Sequence, residues 1–184
     1  MNMPTNALHP RLADIVEDLL QARRELHETL RSLTDEQRAA RPVGDRWSVA
    51  QIVEHLVIVE GGAGRMISNL IKEAVATGER ETETTSVLAS LDHFGIETPT
   101  VRIEAPERVQ PREGLTVEES LARLDATREK LLSVITSASG VPLAKVTAPH
   151  PALGPFNGYQ WIVLIAQHER RHTRQIEAVA ALSA

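Results

Sequence analysis

Apolar residues recur along this chain at steps of three and four, and four long stretches carry the pattern. The first runs from about Pro10 to Leu33, with Leu12, Ile15, Val16, Leu19, Leu20, Leu26, Leu30 and Leu33 on a stripe and charges between them. That period predicts an amphipathic helix. Thr34-Asp35-Glu36-Gln37 then offers an N-cap for a short helical turn, expected to stop near Arg41-Pro42, because a residue before proline avoids the α region. The second long helix opens at Trp47-Ser48-Val49-Ala50-Gln51, where Ser48 and Gln51 can form a capping box. It carries Ile52, Leu56, Val59, Ile67, Leu70 and Ile71 to about Thr77. Gly61, Gly62 and Gly64 interrupt it. Each glycine costs a helix about 1 kcal/mol relative to alanine, so close packing or a kink is expected there.

Between residues 78 and 115 the period is lost. This segment holds Thr82 to Thr85, Pro99, Pro106 and Pro111, with a short helix expected around Ser86 to Asp92. Thr116 and Glu119 form another capping box and start a third helix through Leu121, Leu124, Leu131, Leu132 and Ile135, ending near Ser139-Gly140. Residues 141–157 contain Pro142, Pro149, Pro151 and Pro155 and read as an ordered loop. A fourth helix is expected from about Gly158 to Leu182, with Trp161, Leu164, Ile165, His168, His172, Gln175, Ile176 and Val179 on one stripe. Four long helices, no strand and one long crossover between the second and third long helices predict an all-α four-helix bundle, with residues 1–184 as one domain.

Composition narrows the function. The net charge is −5, with 24% charged and 42% apolar residues, and that balance argues against a nucleic-acid partner. No apolar run approaches the ~20 residues of a membrane span, and the N-terminus lacks a signal-peptide pattern, so a cytoplasmic location is expected. The chain has no cysteine. Disulfides, thiolate metal sites and a cysteine nucleophile are excluded, and a transition metal would need imidazole and carboxylate ligands.

His168-Glu169-Arg170-Arg171-His172 matches the H-E-x-x-H pattern of zinc proteases. The surrounding sequence speaks against a protease. Only 12 residues follow His172, and Gln175 and Ala178 stand where the extended motif needs glycine and histidine. A metal site of another kind fits better. Histidines four apart on a helix sit about 40° apart and about 6 Å along the axis, so both can grip one ion. Chance alone gives roughly 0.2 such pairs in a chain of this composition. Their place on the apolar stripe is what raises the signal, because two buried imidazoles need partners. The best third ligand is His55, between apolar neighbours on the second long helix. His9, His27, His93 and His150 are weaker candidates, lying at the terminus, among charges or in loops.

The stretches Trp47-Ser48-Val49-Ala50-Gln51-Ile52-Val53-Glu54-His55-Leu56 and His168-Glu169-Arg170-Arg171-His172-Thr173-Arg174-Gln175-Ile176 resemble the DinB/YfiT-like superfamily of metal-binding four-helix bundles. The segments at 106–111 and 150–155 resemble it as well, so the likeness spans nearly the whole chain. It implies a three-histidine site of His55, His168 and His172 for one divalent ion, nickel or zinc foremost, with iron and manganese as others. Three neutral imidazoles suit such ions and leave positions open. In that reading Gln175 orients a ligand or a bound water; an ordinary interhelical hydrogen bond is the other role open to it. Trp47 and Trp161 read as packing residues. The resemblance further implies a metal-dependent hydrolase, or a thiol transferase or isomerase using a low-molecular-weight thiol on a small-molecule substrate, and a homodimer. The alternative is a non-catalytic metal-binding or stress-response bundle protein. No catalytic base is assignable from the sequence.

Overall fold

The computed structural model describes residues 8–40, 44, 46–98, 105–112 and 114–182. The expected stop at Arg41-Pro42, Pro99 and the chain's first seven residues lie outside them. Four long helices dominate: α1 (Pro10–Ser32), α3 (Val49–Ala76), α4 (Val117–Ser137) and α5 (Gly158–Ala181), with the short α2 (Asp35–Ala39) after α1. The expected capping boxes form at Thr34/Gln37, Ser48/Gln51 and Thr116/Glu119, and a further one closes at Asn157/Gln160. In each, a side-chain oxygen takes an orphan N–H of the first turn, which fixes where the helix starts.

The bundle is all-α in class, with a small addition. Residues 141–157 are not simply a loop. Thr147–His150 (β1) and Gly154–Asn157 (β2) pair antiparallel, with Ala148 opposite Phe156 and Pro149 opposite Pro155. The prolines hid this hairpin from a propensity reading. A two-stranded ribbon has only edge strands, where proline's missing N–H is tolerated. At the start of α5, Gly158 packs closely against Leu143. A Cβ there would meet the Leu143 carbonyl oxygen and Cβ at 3.0 Å.

The apolar core falls into two compartments. One holds Leu12, Leu19 and Ala22 of α1, Ala63 and Ile67 of α3, Leu131 and Ile135 of α4, and Trp161 to Ala166 of α5. The other holds Leu26 and Leu30, Val49, Ile52, Val53 and Leu56, Leu124, and Ile176 with Val179. The order of compartments along each helix gives the topology. α1 and α5 run one way, α3 and α4 the other. Two parallel consecutive helices need a long return, and the segment between α3 and α4 supplies it. Its 3-10 turns lie at Leu88–Phe94, slightly beyond the expected short helix, and at Glu107–Val109.

The close approach expected at the α3 glycines is absent. A Cβ at Gly61 or Gly62 would find only the Arg65 guanidinium at 3.9 Å, and one at Gly64 would sit 3.7 Å from Leu131. α3 also continues unbroken through them. Among the described residues, no helix is long and apolar enough to cross a membrane.

Candidate metal centre

Between the two apolar compartments lies a buried ionic layer, with one residue from each long helix. Arg23 (α1), Glu60 (α3), Arg128 (α4) and Glu169 (α5) are 7%, 4%, 3% and 2% exposed. Arg23 bonds Glu169 at 2.6 Å and Glu60 at 2.9 Å. Arg128 bonds Glu60 at 2.7 Å and Glu169 at 2.6 Å, and also donates to the Leu19 carbonyl. Burial works against the Arg128 charge, but Glu169 and Glu60 more than offset it, and its pKa is raised. Two cations and two anions balance, so each desolvated charge has partners. The glutamate of H-E-x-x-H therefore faces neighbouring helices and two arginines. Asp125 and His27 extend the layer toward the surface.

The histidines sit at the neighbouring level, five residues earlier on α3 than Glu60 and flanking Glu169 on α5. The structure brings His55, His168 and His172 together, with one ligand nitrogen from each inside a set whose members are all within 4.8 Å of one another. His55 and His172 are buried, and His168 keeps partial solvent exposure. Among the described residues, no carboxylate joins this group.

Each fixed tautomer points the same way. His55 Nδ1 donates to the Val109 carbonyl at 2.7 Å, which leaves Nε2 with its lone pair. The acceptor is main chain from the crossover, so the 3-10 turn at Glu107–Val109 helps aim the ring. His172 Nδ1 lies 2.7 Å from Gln175 Oε1, so it carries the proton and Nε2 is bare. Gln175 thus bonds a candidate ligand on its own helix, one turn on, and among the described residues makes no interhelical bond. His172 Nε2 and His168 Nε2 stand 3.2 Å apart. Either His168 carries its proton on Nε2 and donates it to His172, or both nitrogens are bare and a cation between them is needed. Trp47 packs its ring 4.8 Å from His55. Trp161 is buried under the hairpin, donating to the Ala148 carbonyl at 3.2 Å.

The electrostatics favour neutral imidazoles. Burial lowers the His55 pKa, partly countered by the Val109 bond. Burial and the neighbouring His172 push His168 well below its ordinary value. His172 is lowered to about 3, mainly by burial and then by His55. Neutral imidazoles are what a divalent metal requires of histidine ligands. Arg171 adds to all three shifts, and burial lowers its own pKa with no carboxylate to offset it.

Two neighbours were underrated from the sequence. His150, placed among the weaker candidates, closes β1 with its ring against Phe156 and Trp161, and its charge would bear on His168. Its Nδ1 accepts from the Ala152 and Leu153 N–H groups at 3.2 Å, so the proton sits on Nε2. The Val109 carbonyl gave no sequence signal, since any residue supplies one. The remaining histidines lie elsewhere: His27 on Asp125, His93 against Phe94, and His9 with its main chain on Ser139.

The chain is 27% identical over 160 residues to the protein YuaE of Bacillus subtilis (strain 168), covering 86% of this chain and 93% of the relative. Its fold matches the crystal structure of TT2238, a four-helix bundle protein, with a TM-score of 0.60 at 23% identity over 91% of this chain and 98% of that one. The model of the DinB superfamily matches residues 18–176, and the chain belongs to that superfamily.

Proposed function

We propose that His55, His168 and His172 hold one divalent metal ion, nickel or zinc foremost, and that the protein is an enzyme acting on a small molecule through it. The observation carrying this reading is the 3.2 Å approach of His168 Nε2 to His172 Nε2, with His55 beside them and each Nδ1 proton of His55 and His172 already placed on another acceptor. With the His168 proton on Nδ1, three imidazole lone pairs converge on one point. Three imidazoles fit such an ion and leave coordination positions free. Bound there, it would lower the pKa of water or of an added thiol and so serve a hydrolase or a thiol transferase or isomerase. The chain itself has no cysteine, so a thiol would come from outside.

The protein's own contribution is orientation and exclusion. Val109 and Gln175 hold two rings in one tautomer, and the hairpin and Trp47 cover the flanks. His168 keeps the partial exposure that a small substrate needs. The same reading takes a homodimer of cytoplasmic protein with no nucleic-acid partner.

Metal content by mass spectrometry on untagged protein tests the centre, wild type beside His55→Ala and His172→Ala. About one ion per chain, lost in both variants, is expected. Metal retained without His55, or none in the wild type, would overturn it and leave a bundle without this centre. Stoichiometric metal with neither hydrolysis nor thiol transfer across substrate panels would leave the non-catalytic metal-binding alternative.

A further inference from the structure

The centre has a charged neighbour that its metal chemistry does not use. Three arginines cluster on α5 at 170, 171 and 174. Arg170 is fixed by Asp18 at 2.6 Å and Glu25 at 3.0 Å. Arg174 is fixed by Glu97 at 2.8 Å. Arg171 is the exception: half-buried, it makes no hydrogen bond, ion pair or ring contact with any described residue. A guanidinium taken partly out of water has lost hydration and normally recovers it from an acid. Here it stands between His168 and His172 in sequence, and its charge bears on all three imidazoles.

Across the cluster Arg108, in the 3-10 turn that aims His55, is exposed and likewise unpaired among the described residues, and its charge bears on His150. His150 presents an Nε2 proton. Arg171 and Arg108 thus place two cations near the imidazoles in a protein whose net charge is −5.

We propose that Arg171 is an anion subsite beside the three imidazoles, and that the molecule accepted there carries a carboxylate close to the group that meets the metal. This rests on the metal reading above and names its substrate class. A guanidinium fork matches a carboxylate edge, with two parallel N–H···O bonds and one charge against one. A phosphate brings nearly two charges and would ask for a second close cation; Arg108 is exposed, outside the half-buried position. Arg171 is thus a specificity-determining residue. A neutral analogue reaches the same centre but leaves the guanidinium without its acid.

Calorimetric titration of metal-loaded protein with small thiols tests this. Mercaptoacetate, 3-mercaptopropionate and 4-mercaptobutyrate form a series in which the distance from sulfur to carboxylate grows. Neutral 2-mercaptoethanol and 3-mercapto-1-propanol are the references. Metal content is measured first on the same samples. At least one acid should bind about tenfold more tightly than the neutral thiol of similar length. Arg171→Gln should bring that ratio to near one, and Arg171→Lys should keep part of it, with metal content unchanged in both. On metal-loaded protein, the absence of any acid advantage, including no thiol binding at all, overturns the subsite. So does an advantage that survives Arg171→Gln. Wild-type protein without metal fails the metal reading before any thiol is added, and the subsite falls with it.

Discussion

The ionic layer and the histidine cluster are built from the same helices. α3 gives Glu60 to one and His55 to the other, and α5 gives Glu169 to one and His168 with His172 to the other. Both are buried and polar. They differ in closure. In the layer every charge is answered within the protein, by carboxylate, guanidinium or main chain. In the cluster the outer nitrogens of two rings are answered, while the inner ones face each other. A buried polar group satisfied by opposite charge holds a fold together, whereas imidazoles that face one another can exchange their mutual bond for a shared cation. Thus the glutamate embedded in the histidine motif belongs to architecture, and the histidines on either side of it belong to the candidate metal centre.

The comparison can be broken most forcefully at Arg128. Replacing it by Met leaves Glu60 and Glu169 to share Arg23, with carboxylate oxygens unpaired in a dry layer. Stability should fall by about 3–5 kcal/mol in urea unfolding. A near-neutral result would remove the layer's structural role. A smaller effect comes from pH on metal-chelated protein. The unfolded chain protonates His172 near its ordinary value of 6.5, the folded chain only near 3. Between those values the unfolded state binds more protons, so stability drops as pH falls. From pH 7 to pH 5 the loss from His172 is about 2 kcal/mol, and His172→Gln should flatten the slope. Stability that does not change across that range would contradict the buried neutral imidazole. The smallest effect separates the regions most finely. Gln175→Ala should weaken metal binding about tenfold, by loss of the acceptor that fixes His172. Its melting temperature without metal should barely move, because Gln175 is only partly buried. A reversed outcome would make Gln175 a bundle residue.

Most of the fold was legible because the local signals agree. The 3.6-residue stripes, the Ser48 and Thr116 caps and the proline-rich crossover all point to one bundle. The histidine cluster was legible for a related reason: three imidazoles on inward faces stand out against aliphatic neighbours. The ionic layer stayed hidden because arginine and glutamate are ordinary on helix surfaces. Yet Arg23 stands on the stripe between Leu19 and Leu26, Glu60 between Leu56 and Ala63, Arg128 between Leu124 and Leu131, and Glu169 between Ile165 and Ile176. One charge per stripe, two of each sign, was the available clue. The hairpin was missed because propensity weighs Pro149 and Pro155 against strands without knowing that both are edges. The α3 glycines misled in the other direction, since composition cannot tell a tolerated glycine from a required one.

The layer also bears on time. Its four residues come from four helices and are spread from 23 to 169, so no fragment of the chain can assemble it. An early, partly closed bundle would hold charges stripped of water before their partners arrive, which disfavours forming the layer at the folding barrier. Its stabilisation should then enter after that barrier and act mainly on the unfolding rate. A chain that gathers its counter-charges last opens slowly once closed, and the helices beneath the histidines stay in register for correspondingly longer.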